Sequence, residues 1–138
     1  MGYRAAISLG VFQGPEDRHI SHRALHHLLD ALTRIDMDYL EMYPQTPDLY
    51  NSGVRYHQLV MPNGDDDDWQ DIPTIRRFGY GDCEDLACWR VAELIVKYGI
   101  KAEPLVVWKE GADGSELYHI LVGRPDGIVE DPSKQLGM

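Results

Sequence analysis

The stretch GYGDCEDLACWR, Gly79 to Arg90, sets Cys83 behind a Gly-rich turn and ahead of an apolar, helix-like run, with acidic residues on both sides. A thiolate at a helix N-terminus is stabilised by unpaired backbone N–H groups and the helix dipole, which can pull its pKa below the ~8.5 of free cysteine. Such a thiol becomes a nucleophile when a base takes its proton and a third group orients the base. His119, in ELYHILVG, alternates with Leu117 and Leu121, which predicts that it points into the layer holding the helix. Asp131, in IVEDPSK, would lie beside His119 if the two segments pair across the PDG turn. Singly, each residue has an ordinary account: a core cysteine, a satisfied strand histidine, an Asp-Pro turn. Jointly, Cys83, His119 and Asp131 form the order nucleophile, base and orienting carboxylate, and we expect them to be the catalytic residues.

The elements that must position them follow from periodicity. YRAAISLGVF suggests a short opening strand, and DRHISHRALHHLLDALTRIDMDYLEM a long helix with Ile20, Leu25, Leu28, Leu29, Leu32, Ile35 and Leu40 at helical spacing. Pro44 and Pro47 end it, and VRYHQLV is a candidate extended piece. Ile72, Ile75 and Phe78 predict a short helix with Pro73 in its first turn and Gly79 past its end. A second helix starts at Asp82 or Cys83, is apolar round much of its circumference and closes at Gly99. KAEPLVVWK, ELYHILVGR and IVEDPSK are three β-type segments separated by turns, which predicts an antiparallel meander. The expectation is one α+β domain over residues 1–138, with the cysteine at the N-terminus of a central helix packed on an antiparallel β-sheet. Cys88, Trp89, Trp108 and Tyr118 are expected to pack, the last three as core or cleft wall.

Composition narrows the partners. A net charge of −10 over 138 residues lacks the cationic surface that nucleic acids or anionic membranes require, and it mildly disfavours acidic substrates. No run approaches the ~20 apolar residues of a membrane span, and the apolar stretch in MGYRAAISLGVFQG is too short for a signal peptide. Ala6 stands where an N-myristoylation motif needs Ser or Thr. Two cysteines five residues apart on one helix suit a reducing compartment better than a disulfide scaffold. His19, His22 and His26 share a helical face without a metal motif and are expected to be solvated, as is the run Asp65 to Asp68, which lacks the glycine and glutamate of a calcium loop. No metal and no cofactor are expected.

GYGDCEDLA, YHILV and EDPSK, in that order, resemble the three motifs of the transglutaminase-like branch of the papain-like fold. The likeness extends to small transglutaminase-like proteins of bacteriophages, in which patterns similar to TPDLYNSGVRY, WQDIPT and GDCEDLACWRVAEL recur, and it covers most of the chain from about Thr46 onward. It implies a papain-like core and acyl transfer through a thioester on Cys83, with His119 as base and then acid and Asp131 fixing the imidazole. The papain-like pattern takes one oxyanion donor from the nucleophile's backbone N–H and another from a side chain upstream, which makes Gln70 the candidate, with Trp69 or Tyr80 in reserve. It implies a protein or peptide substrate and a place in the infected bacterial cytoplasm or the virion. A small domain with no evident second-substrate module or calcium site needs only water as acceptor, so a cysteine peptidase or amidase of peptide or isopeptide bonds is the expectation. The alternatives are an amine acceptor, which makes a cross-linking transglutaminase, and loss of chemistry, which would leave a phage structural protein.

Overall fold

The computed structural model describes residues 18–58, 68–112 and 116–138. The expected opening strand and residues 65–67 of the acidic run lie outside these. Helix α1 (Arg18–Met42) leads to a single 3-10 turn at Leu49–Asn51, strand β1 (Arg55–Tyr56), helix α2 (Ile72–Phe78), strand β2 (Tyr80–Gly81) and helix α3 (Cys83–Tyr98). Strands β3 (Glu103–Glu110), β4 (Glu116–Gly123) and β5 (Val129–Glu130) follow, and a short helix α4 (Pro132–Gln135) closes the chain. β3, β4 and β5 form an antiparallel sheet in that order, while β1 and β2 make a two-residue parallel pair. The protein is α+β, with α3 buried between the other elements.

Two apolar clusters flank α3. One joins Leu25, Leu29 and Leu32 of α1 to Cys83, Ala87, Cys88 and Val91 of α3 and to Ile120 and Val122 of β4. The other gathers Leu40, Leu49, Ile72 and Ile75 around Leu86, Trp89 and Ala92, with Leu136 beyond α4. Helix α3 can serve both because apolar residues surround it, as the sequence predicts.

α1 departs from the expected stripe. Its buried line runs through Leu25, Leu29, Leu32, Asp36 and Leu40, while Ile20 and Ile35 are each 52% exposed. Steps of three and four residues from Leu25 carry the contact face through Asp36 and leave Ile35 a quarter-turn aside. Asp36 stays inside because its Oδ1 accepts the Ile72 backbone N–H at 3.0 Å, tying α1 to the start of α2. Burial pushes its carboxyl well above the usual range. His22 also departs from the solvated face expected of it, its ring stacking on Trp108 at 3.7 Å between centroids.

Two extended segments are shorter than expected. Of VRYHQLV only Arg55 and Tyr56 form a strand among the described residues, and IVEDPSK divides into the two-residue β5 and α4. Asp131 is the N-cap of α4, its side chain accepting from the Lys134 N–H at 3.2 Å, and Pro132 takes the first helical position. Asp-Pro followed by two more helix-compatible residues is a start signal, which ends the strand at Glu130.

The two apolar positions of α1 separate buried from exposed in one experiment. Leu29→Ala should cost about 2–5 kcal/mol in denaturant unfolding, whereas Ile35→Ala should stay within about 0.5 kcal/mol of the parent.

Candidate active site

The GYGDCED segment has a mechanical explanation. Gly79 adopts φ +85° as the C-cap of α2, a conformation that disfavours side chains. A Cβ at Gly81 would come within 3.1 Å of Asp85 Cβ and 3.2 Å of Leu86 Cδ2, so β2 lies close enough to the first turn of α3 that a side chain there would make these neighbours give by a few tenths of an ångström. Asp82 is the N-cap, its Oδ1 accepting from Cys83 N at 2.7 Å, and Asp85 returns the bond by accepting from Asp82 N at 3.0 Å. This reciprocal capping box starts the helix at Cys83. The other oxygen of Asp85 accepts from Gln70 N at 2.8 Å, which fastens the Trp69–Gln70 segment to the same turn.

Cys83 is buried, and its thiol donates to Glu84 Oε2 at 3.3 Å. The expected lowering of its pKa is overturned. Burial pushes the thiol up, the carboxylates of Glu84 and Asp82 push it further, and the Ile120 backbone N–H, which favours the thiolate, does not compensate. The helix N-terminus is outweighed first by burial of the sulfur and then by the negative charge of Glu84 and of the N-cap Asp82 beside it. Cys83 is therefore a protonated thiol at neutral pH.

His119 and Asp131 meet directly, with Nε2 of the imidazole 3.0 Å from Oδ1 and 3.1 Å from Oδ2. The register pairs Val122 with Glu130 and Gly123 with Val129, so Asp131 follows on opposite Leu121 and is the diagonal neighbour of His119. A carboxylate accepts only, so Nε2 carries the proton and Nδ1 presents its lone pair. That is the tautomer a general base needs.

The face of β4 is the reverse of the one expected. Ile120 and Val122 are fully buried, with Tyr118 packed on the same cluster, whereas Leu117 is 55% exposed and lies on the His119 side. Both faces of LYHILV are apolar, so alternation alone cannot say which turns inward. His119 and Asp131 consequently lie on the outer side, 28% and 24% exposed. Cys83 reaches β4 from the inner side, with its sulfur at the Ile120 N–H, one residue from His119. Among the described residues no hydrogen bond joins Cys83 to His119, and the thiol is turned to Glu84.

Gln70 is buried beside the α3 N-terminus, and its Oε1 has no hydrogen-bond partner. Trp69 is partly buried against the Cys83 cluster, and Tyr80 packs edge-on against His57 at 5.2 Å. Trp108 and Tyr118 pack on that cluster, whereas Trp89 belongs to the opposite one. Cys88 is a core residue whose thiol donates to the Leu29 carbonyl at 3.5 Å. Asp82, Cys83 and Glu84 each offer a ligand atom within 4.8 Å of the others, the one such grouping among the described residues. A soft thiolate with two carboxylates would suit a borderline divalent cation.

Three groups near the site escape local patterns: Glu84, Arg90 and Glu130. For Glu84 and Arg90 the one sequence signal is a charged side chain on an otherwise apolar, buried helix, because such groups need partners, whereas Glu130 on β5 has no such signal. Comparison with protein-family models, curated proteins and solved structures finds no match to the chain. No helix of the described residues is long and apolar enough to cross a membrane.

A raised thiol pKa has a direct kinetic consequence. Iodoacetamide alkylation of Cys83 should be slow at pH 7 and climb steadily up to and beyond pH 9, with no plateau in the acidic range. Glu84→Gln removes a charge that raises the pKa, so its rate–pH curve should shift to lower pH, followed by mass spectrometry of the Cys83 peptide.

Proposed function

We propose that the protein is a cysteine-dependent hydrolase of peptide or isopeptide bonds, built on a transglutaminase-like variant of the papain-like core. The observation that carries this is the His119–Asp131 pair, which leaves Nδ1 its lone pair, on a strand whose next residue, Ile120, presents its backbone N–H to the Cys83 sulfur.

Because the resting thiol is protonated, deprotonation accompanies attack. The thiol leaves Glu84 and, because His119 lies on the other side of β4, its proton passes to Nδ1 through a bridging water as Sγ bonds to the substrate carbonyl carbon. The tetrahedral oxyanion is received by the Gln70 side chain, and the Cys83 backbone N–H joins it only by leaving Asp82 Oδ1. On collapse the C–N bond breaks, the imidazolium returns its proton to the leaving amine, and a thioester remains. Water activated by the same imidazole then releases the carboxylic acid and regenerates the thiol. Asp131 holds the tautomer and stabilises the imidazolium throughout.

An amine in place of water gives glutamine-dependent cross-linking, the second outcome available to the same thioester. A third is a phage structural protein in which the residues persist without turnover. The proposed setting is the cytoplasm of an infected bacterium or the virion, with capsid, tail or cell-wall peptide bonds as substrates.

Turnover of a quenched casein or peptide library decides among these. Cys83→Ala should abolish cleavage, and Asp131→Asn should lower kcat by up to about 10⁴-fold. Chelation by EDTA should leave the rate unchanged, whereas rate loss restored by added zinc would assign Asp82, Cys83 and Glu84 to a metal instead. Incorporation of a primary amine without cleavage would make the protein a transglutaminase. Gln70→Ala at parental turnover would remove Gln70 from the oxyanion site.

A further inference from the structure

We propose that the Arg90–Glu130 ion pair is a positioning device that registers Asp131, and through it His119, against the helix that carries Cys83. This rests on the hydrolase proposal above, and it adds residues that touch neither the thiol nor the imidazole.

The strand before Asp131 is too short to hold itself. β5 pairs with β4 at two positions, and α4 begins immediately after Asp131. Side chains supply what the ladder lacks. Glu130 shares the inward side of the sheet with Val122, and its Oε1 accepts from Arg90 Nε at 2.8 Å and from the Tyr50 hydroxyl at 2.7 Å. Its Oε2 accepts from Arg90 Nη2 at 3.3 Å and Arg124 Nη1 at 3.4 Å. Burial would raise the Glu130 carboxyl, but the bonds from Arg90 and Tyr50 together with the Arg90 charge hold it below its ordinary value. The ion pair is thus formed throughout the neutral range.

Arg90 is itself fixed. Nη1 donates to buried Glu93 at 2.7 Å, and Glu93 also accepts the Leu49 backbone N–H at 2.9 Å. The guanidinium lies over the Tyr50 ring, 4.7 Å from its centroid. Two carboxylates and one ring leave the planar fork a single orientation, which a lysine ammonium could not reproduce. Arg90 follows Cys83 by seven residues, two helical turns, and so stands on the same side of α3 about 10 Å along it. One rigid helix therefore carries the thiol at its first turn and, two turns on, the clamp for the residue preceding Asp131. An open cavity of about 640 Å³ borders this network between Arg90, Arg124, Glu130 and Lys134 and reaches Asp131, so solvent on that side does nothing to hold the carboxylate in place.

The test reads the His119 tautomer by ¹⁵N NMR together with kcat and KM on the casein library. It compares wild type, Arg90→Met, Arg90→Lys, the double variant Arg90→Met/Glu130→Gln, Asp131→Asn and Lys97→Met. Lys97→Met is the control, since it breaks the ion pair with Asp48 at 2.9 Å near the far end of the same helix. The double variant removes the Glu130 charge that the single change would leave unpaired, so that of the two carboxylates on Arg90 only Glu93 loses its cation, and Glu93 keeps the Leu49 N–H and a carboxyl that burial already pushes towards the neutral form. Arg90→Met and the double variant should lose the Nε2–H tautomer as Asp131→Asn does, with kcat down on the order of 10²-fold at little change in KM. Arg90→Lys should recover part of both, and Lys97→Met should lower thermal stability alone. A wild-type tautomer and kcat in the double variant, or losses that merely track stability as in Lys97→Met, would overturn the proposal. The tautomer requires no turnover, so it decides the positioning role even if the library is not cleaved. An unchanged tautomer and kcat in Asp131→Asn would instead place the failure in the hydrolase proposal.

Discussion

The carboxylate of Asp85 is the constraint on which the site depends. It binds two backbone N–H groups that a buried helix start would otherwise strand, one of its own N-cap and one of Gln70. Through the first it ends β2 and begins α3 at Cys83, and through the second it brings the Trp69–Gln70 segment to the same turn. A buried amide without a partner costs about 1–3 kcal/mol, so neither connection is free to wander. Gly81 completes the arrangement by letting β2 approach where a side chain would be crowded. The position of the thiol is thus a consequence of capping, before any chemistry is considered.

That same capping sets the electrostatics. Acidic groups are the usual means of satisfying a helix N-terminus, and here they surround a sulfur that is already out of water. The dipole that would favour a thiolate is spent on Asp82 and Asp85. Cys83 is stored as a thiol, which guards it against adventitious alkylation and oxidation, and in the hydrolase we propose its activation passes to a base. His119 pairs with Asp131, which follows a two-residue strand whose Glu130 is bonded to Arg90 of α3, and the proposal gives that imidazole the task.

Much of the scaffold was legible because its signals are local. Pro73 and Gly79 bracket α2, Asp82 and Gly99 bracket α3, and the glycine and aspartate turns divide the meander. What escaped depends on contacts distant in sequence. The facing of β4 was ambiguous because LYHILV is apolar on both sides, and Ile35 was taken for core because a stripe that includes Asp36 looks less apolar than the one beside it. The thiol pKa eludes the sequence because the helix dipole can be read from position alone, whereas the burial of the sulfur and the nearness of the Glu84 charge cannot. Arg90 and Glu130 are 40 residues apart, and nothing in a local window joins them.

Trapping the acyl-enzyme bears most directly on the central claim. The wild type, acid-quenched during turnover of the peptide library, should carry a mass adduct on the Cys83 peptide that neutral hydroxylamine removes and that His119→Ala fails to form. Cleavage of the same peptides with no hydroxylamine-sensitive adduct on Cys83, or an adduct that forms equally in His119→Ala, would contradict the assignment of thiol and imidazole to one catalytic centre.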